Sequence, residues 1–280
     1  MSQVKANKWT RYVLFALLIA VAAFVIFPIA VVVINSFKNR FMISSAPFAL
    51  PNSESFLGFA NYVNGLFKIG FLKAFGFSLW ITVASVIGIL LVTSMLAWYI
   101  TRIKSTVTTI IYYCLVFSMI VPFQMVMFTM TKFANMLHLD NPIGIIVLYV
   151  GFGAGMASFM FSGFIKSVPL ALEEAAMIDG CNPIQTFFLI VVPMLKSTAI
   201  TIAILNTMWV WNDYLLPYLT IGTDYKTIPV AIQYLRGGYG SVDMGAMMAM
   251  LVLAMIPVII FYLACQKYII KGVLAGAVKG

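Results

Sequence analysis

The sequence predicts an all-α polytopic membrane protein with six transmembrane helices. Three observations predict it. Of the 280 residues, 63% are hydrophobic and 9% charged, with a mean hydropathy of +1.04. A soluble domain carries about 25% charged residues. Uncharged runs recur along the chain at membrane-spanning length. Finally, lysines and arginines sit at the ends of those runs and not in clusters, so a net charge of +9 reads as membrane-end anchoring and argues against nucleic acid.

The runs are 12–37, 74–101, 105–131, 141–165, 197–212 and 244–266. At about 1.5 Å per residue, five of them cross a hydrocarbon core of about 30 Å. The run 197–212 is short unless it continues past Asp213 to about Leu219, and continuation is expected. Lys5, Lys8 and Arg11 precede the first run, but its length exceeds a signal peptide's apolar region of about 7–15 residues. It is expected to be an uncleaved signal anchor.

With the N-terminus inside, ten of the lysines and arginines fall on the cytoplasmic side and seven outside. Both termini are therefore expected in the cytoplasm. The expected organisation is a cytoplasmic N-terminus (1–11), a six-helix transmembrane region (12–271) containing a patterned loop (168–197), and a cytoplasmic tail (272–280). The outer segment 38–70 contains a short amphipathic or extended element around 52–62. Cys114, Cys181 and Cys265 have no pairing or metal spacing and are expected to be reduced.

The loop between the fourth and fifth runs carries the strongest pattern, EEAAMIDGCNPIQTFFLIVVPMLKS from Glu173 to Ser197. Pro169 is suited to a helix start, and Glu173 and Glu174 meet the positive end of its dipole. Ala175, Ala176 and Ile178 supply small and apolar surface. Asp179-Gly180 stops the helix, with Gly180 in a left-handed conformation. Asn182-Pro183 opens a second helix bearing Phe187, Phe188 and Ile190 and ending near Pro193. This helix-turn-helix suits a groove on a soluble partner. An amphipathic element lying at the interface fits the same pattern.

Glu174-Ala175-Ala176, Asp179-Gly180, Phe187, Ile190 and Pro193 stand at the spacing of the EAA loop of ATP-binding-cassette importer permeases. Trp211-Asn212-Asp213-Tyr214 with Pro217 resembles the fifth-helix signature of the carbohydrate-uptake branch, the maltose type, and Gly276 to Gly280 resembles its ending. Cys181, Val192 and Ser197 depart from the usual Ala, Leu and Pro. The resemblance covers nearly the whole chain and implies the type I ABC importer permease fold with a cytoplasmic EAA coupling helix-turn-helix. It implies a subunit that forms half of a path for di- or oligosaccharides. A second, different permease chain, two ATP-binding-cassette ATPases and an extracytoplasmic solute-binding protein would complete the importer, in a bacterial or archaeal plasma membrane. ATP and Mg would belong to the ATPases, with no cofactor or metal on this chain. The coupling residues implied are Glu173, Glu174, Ala175, Ala176, Asp179, Gly180 and Pro193. The glycine-rich outer segment Gly237, Gly238, Tyr239 and Gly240 would reach the binding protein.

Asp213 is the one acid in an expected span, which by itself marks a functional or packing position. Trp209 and Trp211 suit either sugar stacking or packing. Gln124 beside Pro122 joins Trp211, Asn212 and Asp213 as a candidate for the path. Gly151, Gly153, Gly155 and Ser158 permit close helix packing, and His138 stands alone in an outer loop. No GxxxxGK[ST] phosphate loop is present, and no nucleophile–base set that would make the chain a membrane-embedded enzyme. The alternatives that remain are a permease of this architecture for a non-sugar solute and, with less to support it, such an enzyme.

Overall fold

The computed structural model describes residues 8–222, 224–235 and 243–277, with side chains as far as Tyr268. Its helices are α1 (Lys8–Asn35), α2 (Arg40–Ser45), α3 (Ala60–Lys68), α4 (Phe71–Arg102), α5 (Thr106–Ser118), α6 (Phe123–Met136), α7 (Gly144–Ile165), α8 (Leu170–Ile178), α9 (Pro183–Asn212), α10 (Leu215–Thr220), α11 (Ile228–Gln233) and α12 (Met244–Ala277). Among the described residues, α1, α4, α7, α9 and the first 25 residues of α12 are each long and apolar enough to cross a membrane.

The third expected span is broken. Helices α5 and α6 make a 110° bend, and only as a pair are they long and apolar enough to cross a membrane. Pro122 causes the break. It sits at the N-cap of α6 in an extended conformation (φ −67°, ψ 141°), it lacks an N–H, and it disfavours helical geometry in the residue before it.

The fifth span also differs from expectation, at both ends. It stops at Asn212 and does not continue to Leu219, because Asp213 is extended (ψ 127°) and its Oδ1 accepts the Leu215 N–H at 3.0 Å to start α10. At its start, the helix opened by Pro183 runs past Pro193 to Met194 and, after a single turn residue at Leu195, on to Asn212, so that the two stretches make one 30-residue span. Residues Phe187–Val191 form a π-turn in which the Val192 N–H donates to the Phe187 carbonyl. The wider turn absorbs the donorless Pro193 without breaking the helix.

The molecule divides into two compact units, residues 1–71 with 232–257 and residues 72–231 with 258–280. In the first, the segment after α1 folds back on itself. Asn39 N–H donates to Ser55 O (2.9 Å) and Leu57 N–H to Phe37 O (2.8 Å), while Asn61 Nδ2 donates to the carbonyls of Ser36 and Lys38 at 2.9 Å each. Lys38 is wholly buried and its Nζ donates to Ala46 O at 3.0 Å, so burial draws its ammonium below its ordinary pKa. In α12, Gly245 stands against the Asn61 amide, where a Cβ would lie 2.5 Å from its oxygen.

Among the described residues the second unit shows two apolar cores, both built on α4, α7 and α9. Ile89, Ala97, Ala157, Phe161, Ile165, Phe187, Val191, Leu195 and Ile202 form one. Ile81, Ile145, Tyr149 and Val210, with Leu216 and Ile221, form the other. The small residues of α7 permit this approach: a Cβ on Gly153 would meet Ile89 Cδ1 at 2.6 Å, and one on Gly155 the Leu115 carbonyl oxygen at 2.6 Å. Gly151 has open space instead. The three cysteines are free.

Candidate functional site: the α8–α9 bend and its anchor

Helix α8 has only nine residues, LALEEAAMI, too few to be stable alone in water. Its ends and one buried face hold it. Pro169 is the N-cap and Asp179 the C-cap. Gly180 has φ +93°, its N–H donates to Met177 O (3.1 Å), and the Cys181 N–H donates to Ala176 O (3.0 Å). These two bonds are the Schellman termination that a left-handed glycine permits. Two residues later Asn182 caps α9: its Oδ1 accepts the Gln185 N–H and Gln185 Oε1 accepts the Asn182 N–H, each at 2.9 Å. A reciprocal box of this kind fixes the start of the second helix. The bend is therefore defined by hydrogen bonds on both sides of Gly180.

The two adjacent glutamates point in different directions. Glu173 is 1% exposed. Its Oε1 accepts from Arg102 Nη2 at 2.7 Å and Nε at 2.9 Å, and its Oε2 accepts the Trp98 Nε1–H at 2.9 Å. Arg102 Nη2 also donates to Val168 O at 3.0 Å. One carboxylate thus clamps α8 to the last turn of α4, in the two-donor geometry that suits arginine. Trp98 continues the clamp into α9, with its ring 5.4 Å from that of Phe187.

Glu174 and Asp179 are exposed. So are Ala175 and a row of apolar side chains across the bend, Met177 (46%), Ile178 (86%) and Ile184 (66%). Ala176 is buried at 7%, and Pro193 is exposed within α9. The bend offers acid and apolar groups together, while Glu173 is spent on internal attachment.

The other sequence candidates fall elsewhere. Asp213 Oδ2 accepts from Tyr149 OH at 3.0 Å, and Tyr149 meets Trp209 edge-on at 5.4 Å. Trp211 is buried against Phe75. Asn212 is exposed and its Nδ2 donates to Met208 O at 2.7 Å. Gln124 is exposed on α6. Gly237, Gly238, Tyr239 and Gly240 lie outside the described residues. No group of three or more His, Cys, Asp or Glu suited to a metal ion occurs among the described residues.

Sequence reasoning missed Trp98 and Arg102 as partners of the loop. The signal was available: they stand four apart on one face at the end of a long apolar run, and such a face needs an acid. It missed Tyr149 as well, the donor that a carboxylate beside a span requires.

Residues 89–274 match the family described as binding-protein-dependent transport system inner membrane component. A probable starch degradation products transport system permease protein of Thermoanaerobacterium thermosulfurigenes is 35% identical over 270 residues, covering 96% of this chain and 97% of that one. The multiple sugar-binding transport system permease protein of Streptococcus mutans is 36% identical over 280 residues, covering 98% of each. A diacetylchitobiose uptake system permease protein of Streptomyces coelicolor is 30% identical, covering 94% of this chain and 87% of the relative. Among solved structures, a chain of a bacterial ABC transporter that imports the acidic polysaccharide alginate superposes with a TM-score of 0.72 at 23% identity, covering 96% of this chain and 99% of that one.

Proposed function

Because this chain belongs to the binding-protein-dependent transport system inner membrane component family, a family of multi-pass membrane permeases, we propose that it is one half of the path of an ATP-driven importer of di- or oligosaccharides. The starch-product, multiple-sugar and diacetylchitobiose relatives support that substrate class. The partners in this reading are a second permease chain, two ATPase subunits that bind ATP and Mg, and an extracytoplasmic solute-binding protein. A solved relative of the same fold is an alginate transporter in complex with a periplasmic protein carrying an alginate pentasaccharide, which supports the last of these. Both termini and the α8–α9 bend face the cytoplasm.

The observation that carries the reading is the division of labour on α8. Glu173 is buried in its clamp to Arg102, while Glu174, Ile178, Asp179 and the Gly180 bend are exposed. A nine-residue element that is locked on one face and open on the other is built to receive a push and pass it inward. Closure of the ATPase dimer would displace the bend, and the clamp would carry the displacement to α4, switching the path between two access states. The chain performs no chemistry of its own in this scheme.

The test is reconstitution with the ATPase, second permease and binding protein in proteoliposomes. Glu174→Lys is expected to lower the amount of ATPase retained on the solubilised permease and to lower ATP-dependent uptake in parallel. Wild-type retention and wild-type uptake in that variant would overturn the docking role. Competition by a panel of disaccharides, oligosaccharides and non-sugar solutes then decides the substrate class. Blockage by a non-sugar solute alone would overturn the carbohydrate reading.

A further inference from the structure

Near the end of α4 that carries the Glu173 clamp, the second unit encloses a cleft of about 340 Å³ between α4, α5 and α7. Thr101 and Ile100 close one side, Lys104 stands in the α4–α5 link, Thr108, Thr109, Tyr112 and Tyr113 line α5, and Ser162 and Lys166 come from the last turn of α7. Among the described residues no carboxylate lines it. The 440 Å³ cavity on the opposite stretch of α5, by contrast, is lined by apolar residues with only Ser118 and Cys114 as exceptions.

Two features show that the cleft is incomplete as it stands. Ser162 is 1% exposed, lines the cleft, and its Oγ has no hydrogen-bond partner; the Thr101 Oγ1 is likewise buried and unpartnered. Buried hydroxyls almost always find a partner. The second feature is the donor balance. Two lysines, Lys104 and Lys166, and four residues whose hydroxyls are uncommitted (Thr101, Ser162, Tyr112 and Tyr113) line one volume. The Thr108 and Thr109 hydroxyls, by contrast, are already bonded to the carbonyls of Ile103 and Ser105. Lys166 is exposed, and its Nζ lies 5.6 Å above the ring of Tyr112, another lining residue. What such a site lacks is a compact anion with several acceptor oxygens.

We propose that this cleft binds a phosphate group, seated between Lys104 and Lys166 with Ser162 and Thr101 donating from the floor. Two sources carry that chemistry. One is the headgroup of an anionic phospholipid, favoured by the position of the cleft at the ends of membrane-crossing helices with paired tyrosines at its rim. The other is free inorganic phosphate. The inference depends on α4 and α7 crossing the membrane and not on what the protein transports.

Native mass spectrometry of the full chain in maltoside detergent tests it, using phosphatidylglycerol, phosphatidylcholine and inorganic phosphate as separate probes. One phosphatidylglycerol is expected to be retained per chain in preference to phosphatidylcholine. The double variant K104Q/K166Q should weaken retention about 30-fold, from about fivefold per lysine. Lys104→Gln alone, in an exposed link that carries no packing, should weaken it about fivefold, so the proposal stays testable if the double variant folds poorly. Ser162→Val, which removes the floor donor and fills its space, should weaken retention too. Displacement of the lipid by millimolar inorganic phosphate, with the same dependence on Lys104, would assign the site to the free anion. Equal retention of both lipids in wild type and variants, with no effect of inorganic phosphate, would overturn the proposal.

Discussion

Replacing Glu173 with glutamine keeps the shape of the side chain and removes the charge that holds α8 to α4. The carboxylate presents one oxygen to Arg102 and the other to Trp98. An amide has one oxygen and one NH2, and the NH2 can only donate, so one of those two donors loses its acceptor whichever way the amide turns. Removing one partner of a buried ion pair costs about 3–5 kcal/mol. Arg102 keeps its bond to Val168 O and its side chain is 17% exposed, which places the loss near the lower end, about 3 kcal/mol. The cost falls on the docking of α8, since the apolar cores of α4, α7 and α9 are untouched. Local opening of α8 should therefore rise about 100-fold or more, at about 1.4 kcal/mol per tenfold. Amide hydrogen exchange in nanodiscs reads this at Met177 and Ile178. The double variant R102M/E173Q removes both charges and should regain most of the protection, because a neutral replacement of a buried pair is close to neutral in stability. A change in α8 exchange of less than about threefold in E173Q, or no recovery in the double variant, would refute the clamp.

Two further outcomes follow from the same geometry. Gly180 has φ +93°, and a Cβ there would meet nothing within 4 Å, so the constraint on this position within the chain is conformational and not steric. Gly180→Val should thus lower ATP-dependent uptake strongly while Gly180→Asn, a residue that tolerates positive φ, retains most of it; equal loss in both would point to a contact at the glycine instead. At Asp243, burial works to raise the carboxyl, but the hydrogen bonds from Lys68 (2.9 Å) and the Ala246 N–H and the charges of Lys68 and Arg40 outweigh it and hold it below its ordinary value. A depressed carboxyl contributes stability above its unfolded pKa and loses it as pH falls through the folded one. The melting-temperature gap between wild type and Asp243→Asn should be small, as for a half-exposed pair worth under about 1 kcal/mol, constant from neutral pH down to about 5 and closing below about 4. A gap that closes between pH 7 and 5 would contradict that assignment.

The sequence made the helical class, five of the spans and the Gly180 bend legible because each rests on local chemistry: uncharged length, a left-handed glycine, an Asn-Pro start. What it hid depended on contacts distant in sequence. In LALEEAAMI almost every position is small or apolar, so no periodicity says which glutamate faces inward. Only the presence of Arg102, 71 residues earlier, decides that it is Glu173. Asp213 was legible as an unusual charge, but its partner Tyr149 lies in another helix, and the extended backbone that this Asp adopts ended the span earlier than hydropathy implies. Pro193 misled in the opposite direction. A proline inside an apolar run reads as a stop, and the π-turn that accommodates it leaves no mark in the composition.

That continuity through Pro193 matters for how the bend acts. Had the second helix ended there, the helix pair would hang from the spans by flexible links, and a displacement at Gly180 would be lost in them. Instead α9 continues as one 30-residue span from its cap at Asn182 to Asn212, with a single turn residue at Leu195 whose N–H still donates to the Val191 carbonyl at 3.1 Å, and its first turns pack Phe187 and Val191 into the core shared with α4 and α7. On the other side of Gly180, α8 is fixed to α4 through Glu173 and Arg102. The bend is therefore attached to two spans at once, by a continuous helix on one side and an ion pair on the other. A packed core shifts between discrete arrangements and does not stretch, so in the proposed scheme movement of the bend would move α4 and α9 together. Adjacent glutamates about 100° apart around one short helix divide that work. Glu174 stays in solvent, where the ATPase of the proposed scheme would reach it, and Glu173 holds the element to α4.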